Sequence, residues 1–425
     1  MIGRWRWIWR RLAKRLWFRA SLFSILGVLT ALLALAIKQY IPGGLSTKIG
    51  SDAVDNILGI IASSMLAVTT FSLSTMVSAY GSATSNVTPR ATPLLVEDST
   101  TQNALATFVG SFLFSLVGII ALSTGAYGDQ GRVVMFTVTI GVIALIVYTL
   151  LRWIDHLARL GRLGETTDRV ENAATQALKD RLKHPNLGGE SMSTKALIPT
   201  SARLVFAADI GYVQHVDMPS LASLTKADKD STTGPAIYVF AVPGSFIEPS
   251  KPLAATTHVD ESGDAKIAAA FTIGVRRSFD QDPRFGVCVL TEIASRALSP
   301  AVNDPGTAID VLGRGVRLLS ILAKFDEAAA NNDGRFKRVY VPDISIDDLF
   351  DDFFTPIARD GASLVEVCIR LQKALASLAR VDDPRFSRAA KLHARLALKR
   401  AEHALPISDD KDQIKRLCSN VLKER

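Results

Sequence analysis

Between Asn56 and Pro89 the chain contains no Asp, Glu, Lys or Arg. A helix needs roughly 20 apolar residues to cross about 30 Å of hydrocarbon, and no soluble fold requires so long an uncharged run. That absence excludes a purely soluble protein. Cysteine is scarce as well. Cys288, Cys368 and Cys418 are odd in number and far apart, which excludes a disulfide framework and a metal knuckle. The six histidines, His156, His184, His215, His258, His393 and His403, do not cluster at ligand spacing. His215 and His258 share a β-like region, where solvent-facing strand positions explain them as well as a common site would. G-x-x-x-x-G-K-S/T, H-E-x-x-H and G-x-S-x-G are all missing. The expectation is a protein that is not an enzyme, with no cofactor and no metal site.

What is present is a set of four apolar segments. Ala20 to Ile37 lies between Arg19 and Lys38, and the uncharged run from Asn56 follows it. Ala104 to Tyr127 lies between Asp98 and Asp129, and Val133 to Leu151 is fenced by Arg132 and Arg152. After Trp153 no uncharged run is long enough to cross again. The first segment is longer than the apolar region of a signal peptide and continues into Lys38-Gln39-Tyr40-Ile41-Pro42 without a small-x-small cleavage pattern, so it is expected to be retained as a span.

The net charge of +8 and pI near 9.4 invite a nucleic-acid reading, but much of the excess lies in Arg4, Arg6, Arg10, Arg11, Lys14, Arg15 and Arg19. These alternate with Trp5, Trp7, Trp9 and Trp17, the composition of an interfacial helix on anionic lipid. The expected partner is the bilayer, with no nucleic acid. The basic amino end and the Arg152, His156, Arg159, Arg162 cluster after the fourth segment both belong on the cytoplasmic side, and an even number of spans requires them to share one. A bacterial inner membrane with both termini cytoplasmic follows.

The polar half has its own divisions. Arg159 to His184 reads as a helix continuing out of the fourth span, stopped by Pro185-Asn186-Leu187-Gly188-Gly189, with a linker to Thr200. Short β-like runs follow at Arg203–Ala207, Gly211–Val216, Ala236–Val242, Leu253–Val259 and Ala269–Val275. Gly244 to Ala254 resembles the strand, turn and strand of a lipoyl-like half-barrel, in shape alone, because the carrier-lysine context is missing and Lys251 reads as an ordinary turn residue. Helices then start at Asp282-Pro283, Asp304-Pro305 and Asp383-Pro384, each with a carboxylate at the N-cap and proline at N1. The expected fold is a four-span α-helical membrane bundle plus a cytosolic α+β region, a small β half-barrel-like domain followed by helices. Its parts are a basic interfacial segment (1–19), the spans (20–152), a connecting helix and linker (153–200), the β domain (201–277) and the helical domain (278–425).

Ser278-Phe279-Asp280-Gln281-Asp282-Pro283-Arg284-Phe285-Gly286, with Ile293 to Ala308 including Ser299-Pro300-Ala301-Val302-Asn303-Asp304-Pro305-Gly306, resembles the signature of the bacterial predicted membrane protein family named domain of unknown function 2254. The Ser/Thr-rich second span running toward Pro89-Arg90 is similar to that family too, so the resemblance covers nearly the whole chain. It implies an integral membrane protein with a cytosolic carboxyl-terminal region and assigns no activity.

Two places could carry function. Asn303 and Asp304 at a helix start, with Arg284 and Arg296 (and Arg276 and Arg277) nearby in sequence, suit either an anion site or a tight interhelical turn whose carboxylate caps the second helix. The acidic run Asp343, Asp347, Asp348, Asp351, Asp352 lacks the glycine and terminal Glu of an EF-hand loop and reads as a solvated helix start. In the second span, Ser63, Ala67, Thr70, Ser74, Ser78 and Gly81 share one helical face. Such a face either packs helices closely or lines a hydrated path for ions, and the path requires several copies around an axis. No ionisable residue lies deep in any span and no paired broken helices occur, which disfavours a coupled transporter. The expected function is a homo-oligomeric ion channel or pore lined by Ser63, Thr70, Ser74 and Ser78, with a cytosolic regulatory domain. The alternative is a membrane-anchored sensor or scaffold that does not conduct.

Overall fold

The computed structural model describes residues 12–13, 15–37, 51–124, 128–192, 198–225, 234–323 and 335–424. The Trp/Arg segment from Arg4 to Arg11, Lys14, most of the first loop and part of the expected linker lie outside the described residues. The chain divides into two compact units, one ending at Thr166 and one beginning at Thr167.

The first unit is a helix bundle: α1 (Leu16–Ile37), α2 (Ser51–Asn86), the short α3 (Thr92–Val96), α4 (Ser99–Ser123) and α5 (Gly128–Leu157). Within α2, α4 and α5 the segments Ala53–Ser82, Ser99–Ser123 and Gly131–Leu157 are long and apolar enough to cross a membrane, while the apolar stretch of α1 is the shorter Trp17–Leu33. Helix α4 is the central element. Its buried face carries Ala104, Phe108, Ser111, Phe114, Ser115 and Gly118. Gly110 meets the backbone of α1: a Cβ there would lie 2.9 Å from the Phe23 carbonyl oxygen, and one on Gly27 would lie 2.6 Å from that of Gly110. Small residues at such a crossing let two backbones approach in lipid, where van der Waals packing replaces the hydrophobic effect between helices. One expectation is corrected here. The helix that holds the last apolar run does not continue unbroken into the polar half, because α5 ends at Leu157 and Gly161, in the left-handed region at φ 80°, turns the chain into α6 (Leu163–Lys183).

Among the described residues of the second unit, eight strands form two sheets. They are β1 (Glu190–Ser191), β2 (Arg203–Phe206), β3 (Gly211–Val216), β4 (Ala236–Val239), β5 (Phe246–Ile247), β6 (Pro252–Thr257), β7 (Phe271–Gly274) and β8 (Val339–Val341). One sheet has the order β1-β8-β4-β6-β2 and the other β5-β3-β7. Val213, Val216, Ile237, Val239, Leu253 and Phe271 fill the core they share. Strand β8 comes from the stretch read as helical. It pairs in parallel with β1 and β4, and three residues are too few to show a period in sequence. Two short helices, α7 (Met218–Leu224) and α8 (Ser262–Ala269), pack beside the strands.

The remaining helices are α9 (Pro283–Ala297), α10 (Pro305–Ala323), α11 (Ile346–Asp360), α12 (Val365–Ala379), α13 (Pro384–Ala404) and α14 (Ser408–Lys423). Asp282 accepts from the Arg284 and Phe285 amides, Asp304 from Thr307, and Asp383 from Arg385. Phe350, Phe353, Phe354 and Phe386 form a buried aromatic cluster, and Gly315 admits the Phe353 ring against the α10 backbone, where a Cβ would clash at 2.0 Å.

His393 is buried against Phe350 and Phe354, with Asp351 3.3 Å from Nε2. Burial pushes its imidazole below the ordinary histidine range, Asp351 opposing in part. A folded value below the unfolded one means that the unfolded chain binds the proton more tightly. Stability of this unit should therefore fall as pH drops below about 6.5. Thermal unfolding from pH 7.5 to 5 should show that loss, and His393→Leu should flatten it.

Candidate functional site

Helix α2 packs through a narrow strip. Val54 and Leu58 meet Ala31, Phe114 and Met135 at one end of the bundle. Ile61, Met65 and Met76 meet Leu105, Phe108, Ile146 and Trp153 toward the other. Ser63, Ala67, Thr70, Ser74, Ser78 and Gly81 are all exposed on the side turned away from that strip. The Ser63 hydroxyl donates to the Gly59 carbonyl at 3.0 Å, and that of Thr70 to Leu66 at 3.0 Å, so these two groups are partly satisfied by their own helix. Ile60, Phe71, Leu73 and Val77 flank the stripe, also exposed.

The charged groups fix the depth of these residues. Trp153, buried near the end of α5, donates from Nε1 to Ser72 Oγ at 2.9 Å. One turn later, His156 Nε2 lies 2.8 Å from Asp98 Oδ2 and 3.1 Å from Thr101 Oγ1, and its ring stacks on Trp153 with centroids 5.6 Å apart. Asp98 also caps α4, accepting from the Thr101 amide at 2.9 Å and its hydroxyl at 2.6 Å. Arg19 reaches Asn103 at 2.7 Å, and Arg159 pairs with Asp155. These groups form one rim. Ser72 is level with it, and beyond Ser72 the helix continues: Ala79 packs on Gly161, Tyr80 donates to the Leu95 carbonyl, and Thr84 and Thr92 hydroxyls meet at 3.0 Å. At 1.5 Å per residue the 36 residues of α2 measure about 54 Å, well beyond the hydrocarbon. Along α2, Ser63 and Thr70 precede the level of Ser72 and its contact to Trp153, and Ser74 and Ser78 follow it.

Sequence reasoning placed the stripe but missed the rim. Asp98-Ser99-Thr100-Thr101 is a recognisable cap, yet its link to His156 joins residues 55 apart along the chain. Further hydroxyls, on Thr107, Ser111, Ser115 and Thr139, are buried inside the bundle.

The residues of the second candidate divide among separate contacts. Arg284 turns to α11, pairing with Asp348 and with Asp352 at 2.8 Å. Arg277 forms a bidentate pair with Asp282 and stacks on Phe285. Arg388 holds Asp347. The acidic run thus meets cations from neighbouring helices, and among the described residues no His/Cys/Asp/Glu group could hold a metal ion. Asn303 adopts the left-handed region at φ 51°, and the amide of Asp304 donates to the Ala297 carbonyl at 2.8 Å, folding the turn back onto α9. Arg296, in the last turn of α9, keeps its Nε buried without a hydrogen-bond partner. Burial pushes the Cys288 and Cys368 thiols up to about 11, which leaves little thiolate at neutral pH.

The match to the predicted membrane protein family, domain of unknown function 2254, runs from residue 13 to 377. The chain belongs to that family. It is 28% identical over 263 residues to an uncharacterized protein of Mycobacterium bovis and to one of Mycobacterium tuberculosis, an alignment covering 57% of this chain and 47% of each relative. The chain spans about half the length of these curated relatives. No solved structure matches it.

Within the family match, Asp304 is the residue whose role can be separated by mutation. The Thr307 hydroxyl and amide hold its carboxyl below the usual carboxylate range. Its stabilising effect is therefore complete at neutral pH and lost as pH falls through that lowered value. Asp304→Ala should cost about 0.5–2 kcal/mol, the usual effect of losing an N-cap, read as a lower melting temperature at pH 7. An unchanged melting temperature would remove the capping role.

Proposed function

We propose that this membrane protein is a homo-oligomeric pore in which copies of α2 line an ion path. One observation carries the reading: the Ser63, Ala67, Thr70, Ser74 face is turned out of its own bundle and is open to a second copy. A hydroxyl in lipid contributes only about 0.6 kcal/mol by bonding between helices, so packing gives little reason for so many on one face. A hydrated lumen gives a better one. In this reading α1 is a fourth span, both termini face the cytoplasm of a bacterium, and the second unit is a cytosolic regulator without catalytic or nucleic-acid-binding activity. The bilayer and permeating ions are its partners.

Depth grades the effect of mutation. Thr70→Leu and Ser63→Leu should dewet the path and lower ion flux through reconstituted protein while leaving oligomer size in detergent unchanged. Ser78→Leu, past the rim, should have the smaller effect. Loss of assembly in Thr70→Leu would identify the stripe as a helix contact instead. Equal flux from wild-type and empty vesicles would end the pore reading and leave the membrane-anchored sensor.

A further inference from the structure

Helices α12 and α14 lie side by side in the second unit, and a cleft of about 430 Å³ opens between them toward their carboxyl ends. Its volume falls within the range of small-molecule sites. Ala376 and Leu417, both half-buried, line it together with Gln372. Gln372 is 1% exposed. Its Nε2 donates to the Ala394 carbonyl of α13 at 3.0 Å, while its Oε1 is buried without a hydrogen-bond partner. Leaving a buried acceptor unpaired costs about 1–3 kcal/mol, so this oxygen calls for a donor. The rim is cationic, formed by the exposed Lys373, Arg380 and Lys423. Glu424 offsets one of the three charges, pairing with Arg380 at 3.0 Å. The carboxyl ends of the two helices contribute about half a negative charge each, which leaves roughly one net positive charge facing the cleft.

An unpaired acceptor inside and cations at the mouth define complementary chemistry. We propose that this cleft binds a small hydroxylated anion, its hydroxyl donating to Gln372 and its phosphate or carboxylate held by Lys373, Arg380 and Lys423. Soluble sugar phosphates and the glycerol phosphate headgroup of an anionic lipid share this chemistry. The proposal is independent of conduction, because binding is measured directly.

Isothermal titration calorimetry on the full chain in phosphatidylcholine nanodiscs tests it with three probes. Glycerol 3-phosphate carries both groups, inorganic phosphate only the anion, and glycerol only the hydroxyl. Glycerol 3-phosphate should bind about tenfold more tightly than phosphate, the usual contribution of one hydrogen bond that fills a buried acceptor, and glycerol should give no heat. Lys373→Gln and Lys423→Gln should each weaken glycerol 3-phosphate several-fold, with Lys399→Gln on α13 as an unaffected control. Gln372→Leu should bring glycerol 3-phosphate and phosphate to the same affinity. Nanodiscs containing phosphatidylglycerol separate the sources. Competition with the soluble probe supports the proposal with a lipid headgroup as ligand, and its absence supports it with a soluble one. No binding of glycerol 3-phosphate to the wild type, or binding untouched by both lysine substitutions, would overturn the proposal. Equal affinity of the wild type for phosphate and glycerol 3-phosphate would remove the role of Gln372.

Discussion

The close crossing of α1 and α4 at Gly27 and Gly110 governs the membrane unit. Lipid tails are as apolar as Leu, so helices in a bilayer gain nothing from hiding apolar surface and are held by close contact instead. Gly110 and Gly27 bring two backbones within van der Waals reach, and Gly118 does the same for the side chains of Leu58 and Met135. Helix α4 thereby sits in the middle, with α1, α2 and α5 each packed on it. That arrangement uses one strip of α2 and leaves the rest facing outward. The exposure of Ser63 and Thr70 is thus a consequence of where the glycines are, on two other helices.

The second unit is held by a different principle, paired charges between elements distant in sequence. Arg314 on α10 is nearly buried and meets three carboxylates, Asp310 on its own helix and Asp168 and Glu171 on α6. Arg317 engages Glu171 as well. Removing one partner of such a buried network leaves an uncompensated charge, so its contribution lies in fixing which faces of α6 and α10 meet. Gly286 reinforces the contact: a Cβ there would lie 2.4 Å from that of Ala174, so α9 lies close against α6. Asp282 plays a comparable part at the start of α9. It caps the helix, binds Arg277, and sits against Gly244, where φ is 96° and a Cβ would strike the carboxylate.

Features that depend on neighbours along the chain were legible in the sequence. The apolar runs of α2, α4 and α5, the Asp-Pro helix starts, and the strands at Arg203, Gly211, Ala236 and Leu253 all follow from local composition and period. Features that depend on pairing across the chain were not. Arg284 lies close in sequence to Asn303 and Asp304, yet its carboxylate partners are 64 and 68 residues away. Strand β8 gains its identity only from β1 and β4. Periodicity grouped Ser63, Thr70, Ser74 and Ser78 on one face, but it carries no information on whether that face turns inward. The inward hydroxyl is Ser72, which the same composition does not distinguish from its neighbours.

The length of α2 reconciles its two oddities, the missing charges and the surplus of hydroxyls. A helix confined to the bilayer would need neither 36 residues nor Ser78, Ser82, Thr84 and Ser85. Because Ser72 is already level with Trp153 and the His156–Asp98 pair, the residues after it stand beside groups that belong in water. There the hydroxyls satisfy a polar environment that ordinary surface helices meet with Lys and Glu. Tyr80, Thr84 and Ala79 cover one side of this extension through Leu95, Thr92 and Gly161. Val77, Ser78 and Gly81 remain exposed on the other, continuous with the stripe that precedes Ser72. The same uncharged, exposed face therefore runs without a break along α2 from Ser63 to Gly81, past the level of Ser72.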